Sequence, residues 1–347
     1  EPKRAVSDPD LGPLVATNLT RCIHCMRCVR FLEEVAGKRE LGSHGRGEHA
    51  KIGTGHGQPL VSELSGNIID LCPVGALTSK PYKYLARAWE LRRAEGVAMH
   101  DCLGSNLYLH TKDQKVMRAL PRANALVNEL WLSDRDRFSY AGADVDRFES
   151  PMIKVDGKWQ ACDWDEALSV MAAKICHTLE SSGVEQVGTL ISPTCSYEEL
   201  SIAAQVTRGI GSNNIDHRFR CGDFSDQHCD CAIPRLAISL PEFEVQDAIL
   251  LIGSQPRYEQ PLLAHRLRRA ANRGTRLLRI NPRQQDERLT FEIDSLVHPE
   301  KIASTLLGVI HQVKQEVHSK LSDGLEKLVK KAKPTDTEKA IAKALLE

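Results

Sequence analysis

The sequence predicts three successive parts: an α+β segment over residues 1–93, a small β-rich module over residues 94–150, and an α/β domain with a parallel sheet over residues 151–347. Three observations carry that expectation. Cysteines and glycines crowd the first part; apolar residues recur with a period of two from Val97; and past Asp163 strand-sized apolar runs alternate with helix-sized amphipathic ones. A chain of 347 residues is long enough for two or three domains with their own cores.

Residues 1–21 are polar, with Pro2, Pro9 and Pro13, and predict an extended arm. Val29, Phe31, Leu32 and Val35 then have helical spacing, and Gly37 suits a left-handed cap. Residues 42–57 are rich in glycine and carry His44, His49 and His56; they predict a loop lying close to another backbone, with the histidines structural. The stretch from Ser65 to Cys72 predicts a short helical turn, and Pro81 opens a helix expected to reach about Arg93. Residues 106–110 and 116–120 flank a turn, and residues 152–159 form a second hairpin around Asp156-Gly157. Asp163 and Glu166 cap a helix expected to reach about Leu179. Strands at 187–192, 248–253 and 275–280 then alternate with helices at 197–208 and 260–271, the pattern of a parallel layer. From Pro299 the spacing is helical, with a loop at 331–334.

The strongest chemical signal is Cys22, Cys25 and Cys28 at two-residue spacing, answered by Cys72-Pro73 after forty-three intervening residues. Two residues between ligands let a turning backbone aim successive sulfurs at one centre, with its free amides pointing inward. Three such thiolates close around three corners of an iron–sulfur cube, and a remote cysteine supplies the fourth. Pro73 fixes its own backbone angle, so no helix runs on through the ligand. One set of four implies one cube. Two C-x2-C pairs are also how tetrahedral zinc sites are written, so a zinc knot is the competing reading of the same residues. Arg27 and Arg30 flank the ligands, as solvated charges or as tuners of the centre's potential.

The 46 basic and 46 acidic residues cancel, which gives no support for a nucleic-acid or acidic-lipid surface. Arg266, Arg268 and Arg269 are expected on one solvated helix face. No apolar run approaches the roughly eighteen residues a membrane span needs, and the longest, residues 248–252, is strand-sized. Eleven cysteines, an odd number, without a secretory leader predict a reducing compartment. The chain opens at Glu1 and closes at Glu347 inside a helical pattern, so a fragment of a longer protein is expected.

With these residues in view, the chain resembles the large iron–sulfur subunit of the peripheral arm of respiratory complex I, the proton-pumping NADH:quinone oxidoreductase. The matching text runs from Thr20 through Cys22, Cys25, Arg27 and Cys28 to Phe31, from Ser62 through Cys72 to Tyr82, from Gly211 to Asn214, and from Asp223 to Asp226. The resemblance implies that Cys22, Cys25, Cys28 and Cys72 hold one [4Fe-4S] cluster in a chain of clusters between the NADH- and flavin-bearing subunit and quinone. Further [2Fe-2S] and [4Fe-4S] clusters are implied upstream of Glu1. It also implies an α/β part like the molybdopterin oxidoreductases, and partners among the peripheral-arm subunits, including the quinone-proximal iron–sulfur ones. No nucleic acid is implied, and the membrane is met only through the complex. The location implied is the cytoplasmic side of the bacterial inner membrane, or else the matrix side of the mitochondrial one.

Some relatives hold an extra cube in the next module. Here that region reads Met99-His100-Asp101-Cys102, later Leu132-Ser133-Asp134-Arg135, and one cysteine cannot anchor a cube. Cys102 is therefore expected to be a small buried hydrophobe. A molybdenum-dependent formate dehydrogenase or a hydrogenase subunit is the rival reading from the α/β part. Cys221 lies near the metal-binding position of such enzymes, but Gly222 follows it and the spacing is shifted by one, so no molybdenum is expected. Gly253-Ser-Gln-Pro256 ends a strand without a phosphate-binding pattern, and Cys229 and Cys231 stand too isolated to define a site. The expected role is electron relay without a substrate site of its own, the chemistry at either end belonging to partner chains. A zinc-organised scaffold is the alternative from another class.

Overall fold

The computed structural model describes residues 5–217, 236–318 and 320–347; Cys221, Cys229, Cys231 and the motif from Asp223 to Asp226 lie outside them. The described chain forms two compact units, one joining residues 5–141 to 236–347 and one comprising residues 142–217.

In the first unit, the polar arm becomes a strand, Val15–Thr17, that pairs antiparallel with Leu77–Ser79. Thr17 stands opposite Leu77, so the residues just before Cys22 and just after Cys72 are tied together. The helical spacing after Cys28 is realised as an α-helix, Arg27–Arg30, running into a π-helical turn, Phe31–Val35. Gly37 follows with φ 79°, and a Cβ there would collide with Arg268 Cδ. The glycine-rich stretch is a hairpin rather than a loop: Leu41–His44 pairs with Lys51–Thr54. Leu41 and Ile52 bury their side chains in the core, which supplies the hydrophobic anchor that the glycine count concealed. That core also contains Val29, Phe31, Leu32 and Ile68, and Cys22, Cys28 and Cys72 pack against it.

The helix expected from Pro81 to about Arg93 is absent. Turns occupy residues 80–85, Tyr84 takes φ 69°, and only the short 3-10 turn Ala88–Glu90 is helical. Strand pairing takes the residues that would have finished the helix: Arg92–Val97 joins Asn106–Lys112 and Lys115–Pro121 in a three-stranded antiparallel sheet, with Arg93 stacked 4.5 Å from the Tyr108 ring centroid. Cross-strand pairing of this kind overrides local propensity.

Residues 236–347 of the same unit carry a parallel sheet, Ala248–Ile252, Arg276–Asn281 and Ile293–Leu296, with the middle strand of the sequence in the middle of the sheet. Leu277 faces Leu267 and Ala270 of the helix Pro261–Asn272, whereas Leu278 and Ile280 face Val309 of Ile302–Val317 and Ile341 of Asp336–Leu346. Both faces are covered, as a parallel sheet requires, which is why its strands read as continuous apolar runs.

Two of the three arginines placed by charge pattern on a solvated face, Arg266 and Arg268, are in fact buried in this unit, and Arg269 is half-buried. Arg266 is 3% exposed and Arg268 8%. Arg266 pairs with Glu244 at 3.0 Å, and Arg269 reaches Glu129 at 2.5 Å. Arg268 donates from Nε and Nη2 to the Val35 carbonyl, 3.2 and 3.0 Å away, to which His265 Nδ1 also lies 3.2 Å. The Arg268 guanidinium thus satisfies the carbonyl end of the cysteine-bearing helix, where positive charge is favoured. Burial pushes Arg268 down to about 10, with Arg288 adding to the shift.

The second unit holds the hairpin Met152–Val155 and Lys158–Ala161, with Asp156 at φ 49° in its turn, then the helix Trp164–Ser182. The strand expected over 187–192 is only Thr189–Leu190, paired in parallel with Ile215–Asp216, and the helix Tyr197–Gly209 lies between them. Asp163 caps the first helix, its carboxylate accepting from Glu166 N at 2.8 Å. Asp163→Ala is expected to cost about 1 kcal/mol, read as an earlier denaturant midpoint for the circular-dichroism transition of this unit.

Candidate metal centre

The cysteine loop is shaped by its backbone before any metal is considered. His24 and Met26, the residues between and beside the ligands, adopt φ 52° and 61°. Two left-handed residues within five turn the chain sharply enough to bring Cys22, Cys25 and Cys28 to one side, a conformation non-glycine residues adopt at some cost. The His24 amide points at Cys22 Sγ, 3.5 Å away, and His24 Nε2 lies 2.8 Å from the Ala50 carbonyl on the neighbouring hairpin. His24 thus pins the loop; among the predicted structural histidines, His44 lies 3.1 Å from the Gly53 carbonyl and exposed His49 lies 3.6 Å from Glu48.

Cys72 arrives from a different direction. It terminates the helix Asn67–Leu71, its amide donating to the Ile68 carbonyl at 3.1 Å, and Pro73 turns the chain away. The strand pairing of Leu77–Ser79 with Val15–Thr17 then returns it beside the triple. All four cysteines line one hollow, whose other walls are mainly apolar, Leu19, Ile52, Val74 and Leu77 among them.

Burial pushes the Cys28 thiol up to about 11; the Val29 amide opposes the shift, and the nearby Cys22 and Cys25 add to it. Metal binding at Cys28 therefore displaces a proton. Cys22, Cys28 and Cys72 are half-buried and Cys25 is exposed. Four soft thiols, inward amides and an apolar wall fit an iron–sulfur cluster. The four thiols line a single hollow. Of the flanking arginines, Arg27 lines the hollow, whereas Arg30 pairs outward with Glu34 at 2.9 Å.

Family models match along the chain in order: "NADH-quinone oxidoreductase subunit 3, ferredoxin-like domain" over residues 12–78, "NADH-ubiquinone oxidoreductase NDSU1/NuoG-like, 4Fe-4S domain" over 91–141, and "Molybdopterin oxidoreductase" over 147–321. The 78 kDa mitochondrial subunit of NADH-ubiquinone oxidoreductase from Candida albicans is 39% identical over 309 residues, 89% of this chain and 42% of that protein. An NADH-quinone oxidoreductase subunit from Rickettsia bellii is 37% identical over 318 residues, 91% of this chain and 45% of that protein. The chain belongs to the family of the large iron–sulfur subunit of NADH:quinone oxidoreductase. It spans less than half the length of these relatives. Within that family its order of parts is ferredoxin-like segments followed by a molybdopterin-oxidoreductase domain. Acetylene hydratase from Pelobacter acetylenicus superposes with TM-score 0.54 at 16% identity, covering 73% of this chain and 38% of that one, which shows shared fold alone.

In this large-subunit chain, Cys102 departs from expectation. It is exposed, and its sulfur accepts from Gln260 Nε2 at 3.4 Å, so it is not a buried hydrophobe. Asp101 and Asp136 take the interior positions there, and Asp136 receives His100 Nδ1 at 3.1 Å. Spacing alone does not separate a cysteine facing inward from one facing outward on a bend.

Asp134 lies outside the sulfur set but touches the segment that leads to Cys72. Burial pushes its carboxyl up to about 6, against the Ser65 and Gly66 donors and the nearby Arg137 guanidinium, which lower it. The folded state then holds a proton that the unfolded state, with a carboxyl near 3.8, gives up. Stability is accordingly lost as pH rises from about 4 to 6, by up to about 3 kcal/mol. The measurement is the stability difference between the parent and Asp134→Asn across that window; it is expected to shrink with rising pH.

Proposed function

We propose that this chain is an electron-relay subunit of NADH:quinone oxidoreductase, holding one [4Fe-4S] cube on Cys22, Cys25, Cys28 and Cys72. The observation that carries it is the convergence of a contiguous cysteine triple and one remote cysteine on a single apolar-walled hollow. The family gives the setting. When bound, the cube stores and passes one electron at a time; the protein holds it, shields it and aims amides at its sulfurs. Low exposure keeps the reorganisation of water small while leaving the Cys25 side open to the next carrier. Residues 1–93, 94–150 and 151–347 act as three domains in this reading, the last without molybdenum. The partners are the NADH- and flavin-bearing subunit and the quinone-proximal iron–sulfur subunits. No helix among the described residues is long and apolar enough to cross a membrane, and the proposed place is on the cytoplasmic or matrix face, held by the complex.

The test is made in the assembled enzyme. The paramagnetic signal of the reduced cube is expected to rise on adding NADH and to fall on adding quinone. A cube that stays oxidised while quinone is reduced lies off the path and contradicts the relay. Metal analysis separates the alternatives, since about four irons and four sulfides per chain support the relay, molybdenum a dehydrogenase and stoichiometric zinc a scaffold.

A further inference from the structure

The cysteine triple and Cys72 are held in different ways. Cys22, Cys25 and Cys28 share one loop and constrain one another, whereas Cys72 hangs on the five-residue helix Asn67–Leu71. A helix that short has no stability of its own and takes its position from what grips it. After Cys72 the grip is the strand pairing of Leu77–Ser79. Before it, the grip comes from residues 132–137. Asp134 Oδ2 accepts from Ser65 N at 3.0 Å and Ser65 Oγ at 2.6 Å, Oδ1 accepts from Gly66 N at 2.7 Å, and Asp134 N donates to the Glu63 carbonyl at 2.8 Å. The Asn67 side chain exchanges a pair of bonds with Leu132, donating to its carbonyl at 2.7 Å and accepting from its amide at 3.0 Å. Arg137 Nη2 closes the far side on Asp70 Oδ2 at 2.6 Å. Gly66 is what allows this closeness, because a Cβ there would stand 2.6 Å from Arg137 Cδ. Ser65, Asn67 and Arg137 are buried and Asp134 is half-buried, so these bonds are partly shielded from water, where losing one partner is costly.

We propose that Asp134 is a positioning residue for the centre: by holding Ser65 and Gly66 it fixes the Cys72 corner, and that corner alone. The proposal rests on the reading that the four cysteines hold a cube. Its consequence is selective. Loosening Asp134 frees one ligand of four, so when ferricyanide takes one electron and becomes ferrocyanide the centre would release one Fe2+, its three remaining irons and four sulfides staying on the three-cysteine loop.

The experiment compares parent, Asp134→Ala and Ser65→Ala, each reconstituted anaerobically as the full chain and then treated briefly with ferricyanide. Iron per chain and the paramagnetic signal of the oxidised sample are measured, with circular dichroism as the check on folding. The parent is expected to keep about four irons, and Asp134→Ala to fall to about three with a new signal in the oxidised state, its fold intact. Asp134→Ala keeping every iron, with no new signal, overturns the positioning role. If Asp134→Ala does not fold, Ser65→Ala decides by the same two readouts, since it leaves both backbone amides on the carboxylate. A parent that takes up no iron overturns the centre itself; a parent with about four irons and folded variants like it overturns the positioning role alone.

Discussion

Cys72→Ser is expected to leave a folded chain that no longer holds a stable four-iron centre. A hydroxyl occupies nearly the space of a thiol, so the packing of Cys72 against the core of Val29, Leu32 and Ile68 changes little. The ligand chemistry changes a great deal, because iron–sulfur clusters are held by deprotonated thiolates and a serine hydroxyl gives up its proton far less readily. The strands Val15–Thr17 and Leu77–Ser79 still pair, so the corner is present but empty-handed. Iron per chain, measured on the variant as reconstituted, is expected to drop to about three or fewer, and the reduced-state paramagnetic signal of the four-iron centre to be lost. Circular dichroism is expected to match the parent. A variant with the parent's iron and signal removes Cys72 from the ligand set.

Arg288→Met has the largest expected effect on stability. Glu40 is nearly inaccessible, at 7%, and its Oε1 receives Arg288 Nη2 at 2.7 Å while Oε2 receives the amides of Val61 and Ser62, each at 3.1 Å. Removing the cation leaves a buried carboxylate with two amides and no counter-charge. Such a loss costs roughly 3–5 kcal/mol. The low end applies here, because Arg288 Nε and Nη1 have no protein acceptor among the described residues, so the pair is imperfectly satisfied to begin with. At about 3 kcal/mol the melting temperature of the first unit falls by on the order of ten degrees. Glu40→Leu combined with Arg288→Met is expected to recover most of that, since replacing both partners of a buried pair is far milder than removing one. A single variant within 1 °C of the parent, or so, contradicts the buried-pair account.

The cysteines that line the hollow stood out in the sequence because the spacing of Cys22, Cys25 and Cys28 is local, and a string of residues records local spacing directly. The hairpin at Asp156, the capped helix beginning at Trp164 and the parallel strands around Leu250 and Leu278 were legible for the same reason: each is a local pattern. What makes the centre was less visible. Pairing of Thr17 with Leu77 joins two three-residue strands too short to show an alternating pattern. The Asp134 grip spans sixty-nine residues from Ser65, and the cation pairing that buries Arg266 and Arg268 reaches across more than a hundred. Charge pattern alone assigns such arginines to solvent, since unpaired arginine is almost never buried. The helix expected beyond Pro81 gave way at its far end because Arg92 and Arg93 pair with the strand Asn106–Lys112.

Whether four sulfurs hold one inorganic cube is read most directly from iron, acid-labile sulfide and zinc per chain together with low-temperature electron paramagnetic resonance of the anaerobically reconstituted, reduced protein. About four irons and four sulfides with one spin signal are expected, the signal being lost in Cys22→Ser as in Cys72→Ser. About one zinc per chain, with no labile sulfide and no signal, contradicts the cube.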